Sequence, residues 1–189
     1  MQQRTLDRRA ILLAAATLAE ETGIENLTLS GLAESLGVKS PSLYNHIGGL
    51  NDLFTGLAEL GLTRFGATIR DAAVGKSKED ALIAIARAYR RFASENPELY
   101  KCIMKLPALD RDSLQESVDA LERILLMVLE PYQMGKPDEI HMSRIWKSAI
   151  HGFISLEASG FFKSEYDIEE SFDRMIRCIL TGMHVVSVK

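Results

Sequence analysis

Between Thr28 and His46 the chain gathers polar side chains that two short helices could present together: Thr28, then Lys39, Ser40, Pro41, Ser42, Tyr44, Asn45 and His46. Amide and hydroxyl groups such as those of Asn45 and Ser42 can bond base edges in a major groove. Tyr44, His46, Lys39 and the amides at the start of the second helix suit phosphate oxygens. The plain alternative is a tight turn in an ordinary helical bundle, with Tyr44 and His46 simply lying on its surface. Other chemistry finds less support. His141, His151 and Glu157 share a helix, but their spacing does not put three ligands on one face, so no metal site is expected. The chain has no Glu-x-x-His pair, Gly-rich phosphate loop or nucleophile elbow, so no catalytic residue and no cofactor is assigned. An enzyme built on a helical bundle, with His141 and His151 as catalysts, is therefore disfavoured.

Charge sets a condition on any role with nucleic acid. The 189 residues carry a net charge of −4, and 47% of them are hydrophobic and 25% charged, as in an ordinary globular protein. Non-specific affinity comes mainly from neutralised phosphates, so an acidic chain needs a specific site to hold DNA. Residues 1–75 hold six basic residues, Arg4, Arg8, Arg9, Lys39, Arg64 and Arg70, against eight acidic ones. The basic residues cluster at the N-terminus and around Lys39, an arrangement that leaves room for one basic face. Cys102 and Cys178 fit no metal spacing and are too few for a disulfide framework. The apolar run from Ala10 to Ala16 is short and passes into Glu20 and Glu21, so it reads as a helix rather than a signal peptide. Reduced thiols, no membrane span and a cytoplasmic location are the expectation.

The elements that must position the polar set are helices. Ile11, Ala15, Leu18 and Thr22 make one stripe, which Gly23 ends. Thr28 caps a second helix carrying Leu29, Leu32, Ala33 and Leu36, and Gly37 stops it. Val38 and Lys39 form the turn, Ser40 is placed as the next cap, and Pro41 falls at the first helical position. The third helix runs to about Ile47, with Leu43 and Ile47 inward and Ser42, Tyr44, Asn45 and His46 outward. Gly48-Gly49 breaks it, and a fourth helix starts near Leu50 or Asn51 and runs towards Ala72. Longer helices follow at about Lys78–Glu95, Pro97–Leu106, Ser113–Gln133, Asp138–Phe161 and Asp167–Ser187. The expected architecture is all-α: a helix-turn-helix domain over 1–50, a linking helix over 51–74, and a larger helical domain over 75–189.

The segment LTLSGLAESLGVKSPSLYNHIGGLNDLF, from Leu27 to Phe54, resembles the N-terminal domain of the TetR family of regulators through Thr28, Ala33, Gly37, Val38, Leu43, Tyr44 and His46. The resemblance implies phosphate contact from Thr28, Tyr44 and His46, and base readout from around Ser40, Pro41, Ser42 and Asn45. It also implies a homodimer on a double-stranded, pseudo-palindromic operator, with repression relieved by a small-molecule effector. Two departures stand out. Gly48-Gly49-Leu50 replaces a lysine that often grips the backbone near the start of helix 4, and Gly31 weakens helix 2 by roughly 1 kcal/mol relative to alanine. Arg4, Arg8 and Arg9 are the candidates to compensate by reaching phosphates.

In the larger half, Ser148, Gly152, Ser155 and Ser159 put small residues on one helix face, where another helix can approach closely. On the last helix Phe172, Ile176, Ile179 and Met183 belong to an apolar stripe beside Cys178 and Gly182. These faces suit a four-helix interface across a two-fold axis, unless both are satisfied within one protomer. Trp146, His151 and Gly152 also resemble the Trp-His-Gly type of C-terminal domain in part of the family. The resemblance implies an effector pocket, for which Tyr89, Phe92, Tyr100, Met104, Met127 and Trp146 are candidates, with Tyr89, Arg90 or His151 as polar anchors. Such residues at helical spacing more often form plain core, and a lone histidine such as His151 is more often structural than a ligand or base. The alternative function is a ligand-binding or interaction module that keeps this fold and has lost DNA binding.

Overall fold

The computed structural model describes residues 6–105 and 111–187, so Arg4 lies outside the described residues. Every regular element among them is helical: α1 (Arg8–Thr22), α2 (Leu29–Ser35), α3 (Ser40–Leu43), α4 (Leu50–Ala73), α5 (Lys78–Glu95), α6 (Pro97–Met104), α7 (Arg111–Leu129), α8 (Lys136–Ala158) and α9 (Ile168–Ser187). The all-α architecture is thus present, and none of these helices is long and apolar enough to cross a membrane.

Local chemistry explains the helix ends around the polar set. Asp7 accepts the Ala10 amide at 2.7 Å and starts α1. The buried face of α1 is Ile11, Ala15, Ala16 and Ala19, whereas Leu18 is half-buried and Thr22 exposed. The apolar stripe is therefore rotated from the one expected, because alanines rather than larger side chains line the closest packing. Thr28 caps α2 by accepting the Gly31 amide at 3.1 Å. Gly37, at φ +67°, closes α2 while its own amide and that of Val38 bond the carbonyls of Glu34 and Ala33, a Schellman ending.

The chain divides into two compact units, one of Met1–Arg64 with Glu95–Asp119 and the other of Phe65–Ser94 with Ala120–Lys189. This departs from a boundary near residue 74, because α6 joins the N-terminal helices. Two carboxylates make that attachment. Glu20 of α1 accepts the amides of Glu98 and Leu99 at 3.2 Å and so caps α6, whose N-cap residue Asn96 makes no side-chain capping bond. In return Glu98, 8% exposed, accepts the Ile24 amide at 2.8 Å and the Lys101 ammonium at 2.6 Å. Gly61 of α4 lets α6 come close, since a Cβ there would stand 3.0 Å from Ile103 and 3.3 Å from the Leu99 carbonyl.

The second unit is organised around Arg90 of α5. Its guanidinium bonds Glu157 of α8 at 2.6 and 2.8 Å and Glu169 of α9 at 2.8 Å. It also lies over the rings of Phe172 and Phe153 at 4.9 and 5.6 Å. Phe153 in turn meets Phe172 edge-on at 5.1 Å, and Phe65 meets Tyr89 at 4.7 Å. Phe172→Ala removes one of the largest fully buried side chains and is expected to cost about 3–5 kcal/mol. Urea unfolding of the variant measures this as a lower midpoint, and a loss below about 1 kcal/mol would contradict its place in the core.

Candidate nucleic-acid interface

The turn after α2 delivers α3 and the tight turns that follow it, where the apolar Leu43 and Ile47 are buried at 0% and 2% exposure. Thr28, Lys39, Pro41, Tyr44 and Asn45 are exposed, and Ser40, Ser42 and His46 are half-buried. Tyr44 is the most open large apolar side chain of this region, at 59%. All eight polar-set residues thus keep some access to solvent on the N-terminal unit. The Thr28 hydroxyl, which accepts from Gly31, retains its own O–H to donate outward.

Two details differ from expectation. Regular helix covers only Ser40–Leu43, and its cap is Lys39, without a side-chain bond, rather than Ser40. Beyond Leu43 the chain continues in tighter turns, with the amides of His46 and Ile47 both bonding the Leu43 carbonyl at 2.9 and 3.0 Å. Arg8, expected to reach for phosphates, is instead engaged by protein. Its two terminal nitrogens bond both oxygens of Asp52 at 2.8 Å, and one of them reaches the His46 carbonyl at 3.4 Å. Arg9 remains exposed.

Asp52 completes a latch. It occupies the third position of α4, reaches back to accept the Gly48 amide at 2.7 Å, and so holds the turn that leads into α4. Gly49 takes φ +132° there, a conformation open to glycine. The Gly48-Gly49 turn thus brings Asp52, and through it Arg8, against the end of the segment that follows α3. The Arg8 guanidinium, and next the Gly48 amide, hold the Asp52 carboxyl below the usual carboxylate range.

The latch was missed by sequence reading. Arg8 and Asp52 are 44 residues apart, and a basic residue near the N-terminus looks like any other phosphate ligand. The one local signal is an acid three residues after a Gly-rich break, the position from which a side chain can reach back to the turn.

The effector candidates fall in both units. Tyr89, Phe92 and Trp146 are buried in the second unit at 8%, 3% and 2% exposure. Tyr100 and Met104 belong to the first unit, where Met104 is 38% exposed. Met127, 60% exposed, edges an open surface groove with Arg123 and Glu139 rather than an enclosed pocket. His151 is half-buried. Arg90 is committed to Glu157 and Glu169, so it is no free anchor.

The dimer candidates also divide. Ser148, Ser155 and Ser159 are exposed and Gly152 half-buried, leaving that face of α8 open. By contrast Phe172, Ile176 and Met183 are 1%, 2% and 0% exposed within the single chain, so they are core and not interface. Ile179 is half-buried, while Cys178 and Gly182 are exposed. Among the described residues no group of three or more His, Cys, Asp or Glu side chains could hold a metal ion.

A helix-turn-helix head on an all-helical body is the layout of a DNA-binding transcription regulator. The chain belongs to the TetR family. Residues 11–55 match the family described as bacterial regulatory proteins, tetR family, and residues 82–179 match the tetracyclin repressor-like C-terminal domain. The chain is 32% identical over 179 residues to the uncharacterized HTH-type transcriptional regulator YobS of Bacillus subtilis (strain 168), covering 94% of this chain and 93% of that protein. Over 86 residues, 46% of this chain and 39% of the other, it is 37% identical to the class D tetracycline repressor protein of Escherichia coli. A solved structure of a protein of unknown function from Rhodococcus sp. RHA1 shares the fold, with a TM-score of 0.83 at 22% identity over 96% of this chain and 98% of that one.

The latch is open to a pH test. The folded-state value of Asp52 lies below the unfolded one, near 3.9 for an aspartate, so its contribution is complete above that pH and is lost as pH falls through the folded value. The two side chains are 42% and 36% exposed, and such pairs contribute about 0–1 kcal/mol. Asp52→Asn is therefore expected to melt slightly below the parent at pH 7, with the gap closing as pH is lowered towards 3. A gap that persists unchanged at pH 3 would show that the charge of Asp52 is not what matters.

Proposed function

We propose that this regulator is a dimeric repressor that reads a pseudo-palindromic operator through α3 and releases it when a small molecule binds the C-terminal unit. The observation that carries the reading is the latched helix: Leu43 and Ile47 are buried, while Tyr44 and Asn45 stand free beside Lys39. Ser42 and Asn45, with Ser40 and Pro41 beside them, read bases; Thr28, Lys39, Tyr44 and His46 hold phosphates. Likeness to a protein named as a tetracycline repressor supports repression and ligand response. Trp146, His151 and Gly152 support a C-terminal domain of the Trp-His-Gly type.

The second copy packs on the open face of α8, at Ser148, Gly152, Ser155 and Ser159, and on the Cys178 and Gly182 side of α9. A Cβ at Gly152 or Gly182 would meet nothing within 4 Å among the described residues, so their packing does not account for either glycine. A partner helix approaching its backbone does. An effector that fits one arrangement of the body better than another shifts the spacing of the two reading helices, and with it operator affinity.

Electrophoretic shift with the gene's own upstream fragment tests the core of this reading. Tyr44→Ala is expected to weaken binding on every sequence, whereas Asn45→Ala or Ser42→Ala changes the preference at particular positions by about 1–3 kcal/mol. Failure of the full chain to shift any genomic fragment at low salt would favour a module of this fold that has lost DNA binding. Gly152→Leu is expected to convert the dimer to monomer in sedimentation and to abolish the shift with it. A Gly152→Leu protein that sediments like the parent would move the interface elsewhere.

A further inference from the structure

Ser143 and Trp146 occupy the inward face of α8, at 1% and 2% exposure. Neither the Ser143 hydroxyl nor the Trp146 indole N–H has a hydrogen-bond partner among the described residues. Nine in ten or more buried polar groups are met, because an unmet one loses its water and gains nothing in return. These two lie three residues apart on one helix, which stacks them as neighbours on the same face. Both are able to donate to an acceptor placed against this face.

The charges of the unit narrow the chemistry. Arg90 is its one Lys or Arg that is not exposed among the described residues, and Glu157 and Glu169 already occupy it. Among the described residues no uncommitted Lys or Arg is left inside this unit to meet an anion, and burying one unpaired is strongly unfavourable. The indole N–H only donates, and a serine hydroxyl can donate as well. A neutral carbonyl oxygen, with two lone pairs, satisfies both. Met142, Ile150 and Ile154 share the buried face of the same helix, so the rest of the molecule should be apolar.

We infer that Ser143 and Trp146 are the polar anchors of a small-molecule site in the C-terminal unit, and that its ligand is an uncharged, largely apolar carbonyl compound. This rests on the reading of the chain as a ligand-responsive regulator, and it names the effector's class and the two groups that hold it. Because α8 bears Gly152 and Ser148 on its outer face, a ligand seated on its inner face acts on the helix through which the copies meet.

Trp146 is the single tryptophan, so fluorescence of the full chain reads this site directly. The probes are 2-heptanone, 2-nonanone and 2-undecanone, each set against the alkane and the fatty-acid carboxylate of equal length. At least one ketone is expected to give a saturable emission change that its alkane and carboxylate do not. Ser143→Ala should weaken that ketone roughly 3- to 10-fold. Trp146→Phe should lose the ketone-induced rise in melting temperature. Without ligand, Ser143→Ala should melt no lower than the parent, because it removes a group that has no partner. A lower melting temperature would show that the hydroxyl is bridged structurally, and would overturn the site. Silence from every ketone, or tighter binding of the carboxylates, would overturn the ligand class. The regulatory reading fails separately: ketones that bind without altering the DNA shift leave the site standing and remove its role in release.

Discussion

A helix of four residues has too few internal hydrogen bonds to hold its own direction, so α3 is oriented by what its ends are tied to. At its start the Schellman turn through Gly37 and Val38 fixes the angle to α2. At its end the Arg8–Asp52 pair does so, by joining α1 to α4 and bonding both the His46 carbonyl and the Gly48 amide. Leu43 and Ile47 supply the apolar anchor, but burial alone is not directional. The forked pair of guanidinium and carboxylate adds directional ties, to the His46 carbonyl and the Gly48 amide, just beyond Tyr44 and Asn45.

The second unit uses the same device for a different purpose. Arg90 draws one glutamate from α8 and one from α9 onto α5, with the rings of Phe153 and Phe172 beneath it. At 12% side-chain exposure, a charge of this kind is stable only when its hydrogen-bonding capacity is met, and removing one glutamate would leave the remainder strained for partners. The commitment also has a functional side, because it leaves the interior near α8 without a spare cation. The unpartnered groups of Ser143 and Trp146 share their helix's buried face with Met142, Ile150 and Ile154.

Much of this was legible locally. The α5 boundaries coincide with the expected ones, since an acidic first turn opens the helix and Pro97 stops its continuation. The polar set from Thr28 to His46 was likewise visible, because turn glycine, cap and outward residues all lie within one short stretch. Three things were not legible. Pairs such as Arg8 with Asp52 and Glu20 with the start of α6, 44 and 78 residues apart, leave no periodic trace. The α9 stripe announced an amphipathic helix, but an apolar face looks the same whether it turns to its own protomer or to a partner. Cys178 and Gly182, read only as a flank, proved to be the exposed side.

Charge is where counting residues misleads most. Acidic residues outnumber basic ones in the first 75, yet several of these acids are spent on internal bonds. Asp7 caps α1, Glu20 caps α6, Glu25 pairs with Lys105, and Asp52 cancels Arg8. From Leu36 to Asn51 the chain carries one formal charge, Lys39, and it is positive. The surface offered to DNA is thus close to neutral and rich in short hydrogen-bonding groups. Such a surface releases few counterions, so a single head gains little from phosphates and depends on base contacts. That scarcity is the physical argument for the paired arrangement proposed above: two weakly charged heads linked on one operator would hold it where the net charge of −4 gives a single head no general affinity.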